Sequence, residues 1–174
     1  ETGIIAIMRA QSSEQLIAQS QVGKLSAALL EKEFDACRYA VICSSGELFP
    51  NLQGIWNGTW GSPWSADFTQ NGNVQSAIAA NLSANMAACL EPYFKYQAAM
   101  LDQSRENARH LYGTRGIHVA SRTSSHGLNN HFDATWPMTF WTSGAGWAAH
   151  FFYDYYLYTG DRKFLREVAY PVLS

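Results

Sequence analysis

The sequence predicts an all-α fold of stacked αα-hairpins, and three observations predict it. Apolar residues recur at helical spacing in at least four stretches. No run of convincing length alternates apolar and polar residues, and no Asn-Gly or Asp-Gly turn joins two such runs. The helical stretches are separated by alternately short and long connections, the pattern of hairpins whose long loops gather at one end and carry function.

The stretch 24–44 places Leu30, Phe34, Cys37 and Val41 at i, i+4, i+7 and i+11, closed by Gly46 and Pro50. Residues 50–69 lose all periodicity and hold Trp56, Trp60 and Trp64 among Gly, Asn and Pro. A loop cannot readily bury three indoles, so some of them are expected to line a concave surface. Residues 75–88 are Ala-rich and read as a helix, with Glu91-Pro92 opening the next. Phe94, Leu101, Ala108 and Leu111 mark a helical stripe that Gly113 caps. After an irregular polar segment, 117–137, a helix is predicted over 143–159, with Trp147, Phe151, Tyr155 and Tyr158 along one side. Gly160 ends it, Asp161 N-caps the next, and Pro171 is expected to kink or stop that one.

Composition narrows the function. With 47% hydrophobic and 15% charged residues among 174, the chain can build a core and is too apolar for disorder. The net charge of −2, without a Lys/Arg run, argues against nucleic acid as a partner. No segment reaches the roughly 18 apolar residues of a spanning helix, so no membrane partner is expected. Three Cys do not make a disulfide framework; Cys37 and Cys43, six apart, fall on different faces of a helix and read as buried free thiols. The triplets starting at Asn57 and Asn81 are N-glycosylation acceptors in a secretory route, which sets the expectation of a secreted or extracellular protein. Most of the six Trp and nine Tyr are expected in the core, the rest being flat faces on which sugar C–H surfaces stack.

Ordered motifs point further. Asn51-Leu52-Gln53-Gly54-Ile55-Trp56-Asn57, then Pro63-Trp64, then the run Asp67 to Gln75 containing Asn71-Gly72-Asn73, resemble glycoside hydrolase family 95, the inverting α-L-fucosidases and α-L-galactosidases. The stretches 85–92, Tyr112-Gly113-Thr114-Arg115-Gly116, Trp141 to Trp147, and Tyr158-Thr159-Gly160-Asp161 through Tyr170-Pro171 continue that resemblance in the family's order, from about Phe34 onward. It implies a toroid of six αα-hairpins. It also implies an Asn-x-Asn pair at the anomeric centre, where an Asn polarised by a distant Asp positions the attacking water, and a Glu from a later hairpin as general acid. Asn71 and Asn73 are thereby the expected catalytic pair, with no cofactor. Inversion requires such a water opposite the leaving group and a carboxylic acid beside the glycosidic oxygen. An amide holds water through its oxygen but is a poor base without a carboxylate behind it.

The expected sugar-binding residues are Trp56, Trp60, Trp64, Asp67, Gln75, His126, His131, Asp133 and Trp141. Asp67 is the acidic candidate nearest the Asn pair. His126, His131 and Asp133 lie on one loop without a fourth ligand and are not expected to hold a metal. Two departures bear on the sugar: Ala77 to Leu82 replaces the family's Asn-Tyr-Trp-Pro-Ala-Glu, and Arg122 to His126 replaces its His-Asn-Thr-Asp-Leu-Trp. The helices amount to about half of the twelve that six hairpins need. The chain is therefore expected to be one partial domain over 1–174, the N-terminal part of a toroid, with 1–22 a peripheral or linker helix. The remainder of the domain or another chain should cover its exposed hairpin faces. The expected partner is an oligosaccharide or glycan; the alternatives are a non-catalytic carbohydrate-binding or assembly protein, or another toroid enzyme such as a glycoside phosphorylase or unsaturated-uronate hydrolase.

Overall fold

The computed structural model describes residues 6–7, 9–23, 26–129 and 137–174. It is all-α apart from one two-stranded ladder. Two compact units divide the chain, Glu1–Ala40 and Val41–Ser174.

In the first unit, helix α1 (Ser13–Gln21) is opened by a capping box. Ser12 Oγ accepts from the Gln15 amide, and Gln15 Oε1 accepts in return from the Ser12 amide at 3.0 Å, which satisfies two N–H groups that the first turn leaves open. Leu16 packs with Ala28 and Leu29 in a small core. Helix α2 (Ala27–Ser44) forms where the periodicity predicts it, yet its predicted stripe is not its buried face. Ala28 and Leu29 are buried, whereas Leu30, Phe34 and Cys37 are exposed. Periodicity identifies an apolar face; it does not say what lies against it. Cys37 is thus not a buried thiol, and Cys37, Cys43 and Cys89 are all free.

The second unit is organised around stacked aromatic rings. The unit contains helices α3 (Asn73–Ile78), α4 (Glu91–Ala99), α5 (Leu101–Tyr112) and α6 (Gly144–Thr159), of which α3, α4 and α6 supply residues to that core. Helix α4 opens with Pro92 in its first turn, where a missing N–H is harmless. It presents Tyr93, Phe94 and Tyr96 to Phe49, Phe68, Phe151 and Phe152. Centroid separations run from 4.5 Å for Phe49–Phe68 and 4.7 Å for Phe94–Phe152 to 5.7 Å for the T-shaped Tyr93–Phe151 pair. Edge-to-face and tilted packing suits the ring quadrupoles and adds about 0.5–1.5 kcal/mol per pair beyond burial. The Tyr93 hydroxyl, wholly buried, donates to the Ala148 carbonyl at 2.8 Å and so avoids an unpaired polar atom in the core.

Gly160, left-handed at φ 66°, closes α6, and the Asp161 carboxylate accepts from the Lys163 and Phe164 amides at 2.9 Å to start the next turn. The short connection makes a helical hairpin: Phe164 stacks on Phe152 and Tyr155 from α7 (Arg162–Phe164). Pro171 does not stop this run. The path widens into a π turn over Leu165–Ala169 and resumes as α8 (Tyr170–Leu173), which takes Pro171 into its first turn.

The predicted helix over 75–88 stops at Ile78. The Ser83 hydroxyl donates to the Ala80 carbonyl at 3.1 Å and Asn85 sits left-handed at φ 57°, and turns replace the helix until a 3-10 segment, Ala87–Leu90. Of the two acceptor asparagines, Asn81 is wholly buried and Asn57 is exposed. The stripe of 92–112 is likewise two helices, broken at Met100, against which Gly127 packs so closely that a Cβ there would lie 2.8 Å from the Met100 Cβ. The Asn107 side chain ties down this loop, donating to the carbonyls of His118 (3.3 Å) and Gly127 (2.7 Å) and accepting from the Asn129 amide (3.0 Å).

His118 in that segment is buried against Tyr112, its Nε2 without a partner among the described residues. Burial pushes the imidazole below its ordinary value, against a smaller opposing hydrogen bond with the Thr139 backbone. A depressed imidazole leaves the unfolded chain the better proton acceptor, so its contribution to stability is whole above about pH 6.5 and lost as pH falls through and below it. Melting temperatures from pH 8 to 5 should drop more steeply for the wild type than for His118→Asn; parallel curves would contradict this.

Candidate active site

The site is built on the ladder. Strands β1 (Phe68–Thr69) and β2 (Arg122–Thr123) pair antiparallel, Phe68 opposite Thr123 and Thr69 opposite Arg122. Two-residue strands have no period to read, which is why the sequence does not reveal them. The chain leaves β1 in a turn, Gln70 to Gly72, that delivers Asn73 to the first position of α3.

Buried amides hold that turn. The Gln75 side chain bridges it, Nε2 donating to the Gln70 carbonyl and Oε1 accepting from the Gly72 amide at 2.9 Å. The Gln70 amide extends the network: Nε2 donates to Thr123 Oγ1 at 3.1 Å, and Oε1 accepts from Gln97 Nε2 at 3.2 Å. Thr123 Oγ1 donates to the Phe68 carbonyl, and the Gln70 backbone N–H to the Ser121 carbonyl at 2.6 Å. Gly72 has φ 130°, a region closed to residues with a Cβ, and Trp147 lies against it, 3.9 Å from where a Cβ would stand.

This frame sets Asn71 and Asn73 in the wall of a cavity of about 330 Å³. Trp64, Thr69 and Arg122 share the wall, with Leu52, Gln53 and Met138 completing it. The volume lies at the small end of ligand pockets, which span about 300–1,000 Å³. The mixture of one indole, apolar methyl groups and convergent amide, hydroxyl and guanidinium groups is suited to a polar ring with one apolar face.

Trp64 reaches the cavity through an uncommon backbone. Trp64, Ser65 and Ala66 all have positive φ (54°, 57° and 49°), a left-handed turn that costs side-chain-bearing residues about 1–2 kcal/mol each. Neighbouring bonds hold it: Arg122 Nη2 donates to the Trp64 carbonyl at 2.9 Å, and the Leu52 amide to the Asp67 carbonyl at 3.1 Å. The Arg122 guanidinium lies 5.7 Å from the Trp64 ring centroid, within cation–π range. Its Nε donates to Asp67 Oδ2, while Asp67 Oδ1 accepts from the Thr69 hydroxyl at 2.6 Å.

The other expected sugar contacts fall elsewhere. Asp67 is only 6% exposed and turns to Arg122 and Thr69; it is not among the residues of the cavity wall. Gln75, 4% exposed, commits its amide to the backbone on either side of Asn71. Trp60 is fully exposed; Trp56 is exposed too and folds over Gly54, whose φ of 56° is stabilised by the lack of a side chain there. Trp141 packs edge-on to Trp147 at 6.1 Å and against Gly144, where a Cβ would collide with the Val119 carbonyl. His126 is half-buried and outside the cavity wall, and His131 and Asp133 lie outside the described residues. No group of three His, Cys, Asp or Glu able to hold a metal occurs among the described residues.

Arg122, Thr69 and Gln53 are the polar wall residues that sequence reasoning missed, beside the apolar Leu52 and Met138. A signal for the first was available: Asp67 is the only charged residue between Glu47 and Glu91, so burying it requires a distant cation. A larger groove, about 850 Å³, opens between α4 and the C-terminal hairpin. It is lined mainly by apolar groups; of its three charged residues among those described, Glu91 and Lys95 pair with each other at 3.1 Å and Glu167 pairs with Arg166 at 2.9 Å.

Fold and cavity together define a helical domain with an amide- and indole-lined cleft formed by loops, the ladder and the start of α3. The model of the glycosyl hydrolase family 95 catalytic domain matches residues 6–174, and the chain belongs to that family. It is 33% identical over 150 residues to alpha-L-fucosidase 2 of Arabidopsis thaliana, a match covering 84% of this chain and 18% of that protein. It is 32% identical over 149 residues to the probable alpha-fucosidase A of Aspergillus niger, covering 81% and 18%. The chain therefore matches less than a fifth of the length of either relative.

The amide bridge yields a test. Gln75→Leu keeps the side-chain volume but strands a carbonyl and an N–H in a buried turn, at a cost of about 1–3 kcal/mol for each group left unpaired. Denaturant unfolding should register a loss in that range, and the Asn71 and Asn73 side-chain amide resonances should broaden or shift; an unchanged midpoint and spectrum would show that the bridge does not hold the turn.

Proposed function

We propose that the cavity holds the terminal sugar of an α-L-fucosyl or related α-L-hexosyl linkage for hydrolysis with inversion. The observation that carries this reading is the convergence of Asn71 and Asn73 on one small cavity beside Trp64 and Arg122. Membership of family 95 and the fucosidase names of both relatives support it.

In this mechanism the sugar lays its apolar face on the Trp64 indole and its hydroxyls on the amides and the guanidinium. One Asn side-chain oxygen accepts a hydrogen bond from water and holds it on the face opposite the leaving group. An amide does not take up the proton that the water sheds, so a carboxylate must stand behind it. A carboxylic acid must likewise protonate the glycosidic oxygen. No described residue of the cavity wall is an acid, and Asp67 is engaged by Arg122. Both carboxyl groups are assigned to parts of the catalytic domain outside the described residues, and the hairpins to part of a six-hairpin ring. The exposed Leu30 and Phe34 and the apolar groove beside α4 are surfaces for the rest of that ring to cover.

Hydrolysis of aryl α-L-fucoside and aryl α-L-galactoside by the protein expressed from its complete gene tests the proposal. Turnover should release the β-anomer first, followed by proton NMR, and Asn73→Ala should lower kcat by about 10²-fold or more with a small change in KM. Binding without turnover at any pH would instead mark a carbohydrate-binding protein, and phosphate-dependent cleavage a phosphorylase.

A further inference from the structure

We infer that the Asp67–Arg122 pair is the charge filter of this cavity, presenting hydrogen-bond donors to a neutral sugar while withholding the net positive charge that would attract a sugar carboxylate. The inference rests on the sugar-site reading above and adds to it the residues that decide which sugars enter.

Asp67 and Arg122 are brought together by the ladder from positions 55 apart in sequence. Arg122 lines the cavity; Asp67 sits behind it, 6% exposed, with one oxygen on Arg122 Nε and the other on the Thr69 hydroxyl. The guanidinium is fixed on two further sides by the Trp64 carbonyl and the Trp64 ring. A guanidinium carries five N–H donors in a planar fork, and these contacts use two of them. The remaining donors are not engaged by these contacts, and Arg122 lines the cavity, so they are available to whatever enters it.

Charge decides what that is. An isolated Arg in a small, partly desolvated cavity favours an anion, because hydrogen bonds to a carboxylate are about twice as strong as those to a neutral oxygen. Here the compensating anion is built in, one side chain away, and is shielded from water. A neutral hydroxyl accepts from the guanidinium without disturbing that pair. A sugar carboxylate must compete with Asp67 for the same cation and lie close to a buried like charge.

The test is calorimetric titration of the complete protein with L-galactose and with L-galacturonate, which differ only in the oxidation state of C6. The wild type should bind L-galactose at least about tenfold more tightly than L-galacturonate. Asp67→Asn, which keeps shape and acceptor oxygen but removes the charge, should tighten L-galacturonate about tenfold or more and change L-galactose by less than about threefold. The double variant Asp67→Asn with Arg122→Gln should weaken L-galactose and abolish the gain for L-galacturonate. Equal affinities in the wild type would overturn the inference without any variant having to fold. So would unchanged discrimination in an Asp67→Asn protein whose melting transition shows it folded. If neither sugar binds the wild type, the sugar-site reading fails and takes the filter with it.

Discussion

The bridge made by the Gln75 side chain between the Gln70 carbonyl and the Gly72 amide is the contact on which the site depends. An Asn-Gly-Asn segment is by itself a flexible turn, for glycine and asparagine both visit left-handed conformations at little cost. One buried glutamine removes that freedom by satisfying the backbone on both sides of Asn71. Gln70, Gln97 and Thr123 then lock the glutamine's partner to the ladder and to α4. Because the side chains of Gln70, Gln75, Gln97 and Thr123 are all buried, loss of any one strands another polar group, and the arrangement holds as a unit.

Two further constraints bear on the same place. The aromatic core behind the ladder, with Phe68 and Tyr96 at 5.6 Å and Phe49 between them and Tyr93, fixes β1 relative to α4. In front, the left-handed Trp64–Ala66 turn is an unfavourable backbone held by Arg122. Strain of this kind persists where surrounding contacts over-determine it, and here those contacts are the Asp67–Arg122 pair and the indole stacked beside it. The rigid core and the strained rim meet at Thr69, whose hydroxyl binds Asp67 and whose ladder partner is Arg122.

Much of the helical frame is legible in the sequence, because periodicity, caps and prolines act locally. Gly113, Gly160, Asp161 and Pro92 take the places their chemistry predicts. Failures begin where a tertiary partner decides. Leu30 and Phe34 form a true apolar stripe that lies exposed, and an Ala-rich stretch leaves the helix after Ile78 and runs through turns to a left-handed Asn85. In the site, the ordered motifs identify Asn71, Asn73 and Trp64, all three of which line the cavity. They do not separate residues of the cavity wall from those behind it: Gln75 and Asp67, expected as contacts, lie outside the wall and hydrogen-bond to the turn and to Arg122. Arg122 escapes notice because its meaning comes from a ladder two residues long.

The most direct measurement is a crystal structure of the complete protein with L-fucose bound. The account predicts the sugar in the 330 Å³ cavity, its apolar face on Trp64, Asn71 and Asn73 within hydrogen-bond reach of it or of a water beside C1, and Gln75 still bridging the turn. A sugar bound elsewhere, or bound there with the Asn side chains turned away and the Gln75 bridge broken, would contradict it.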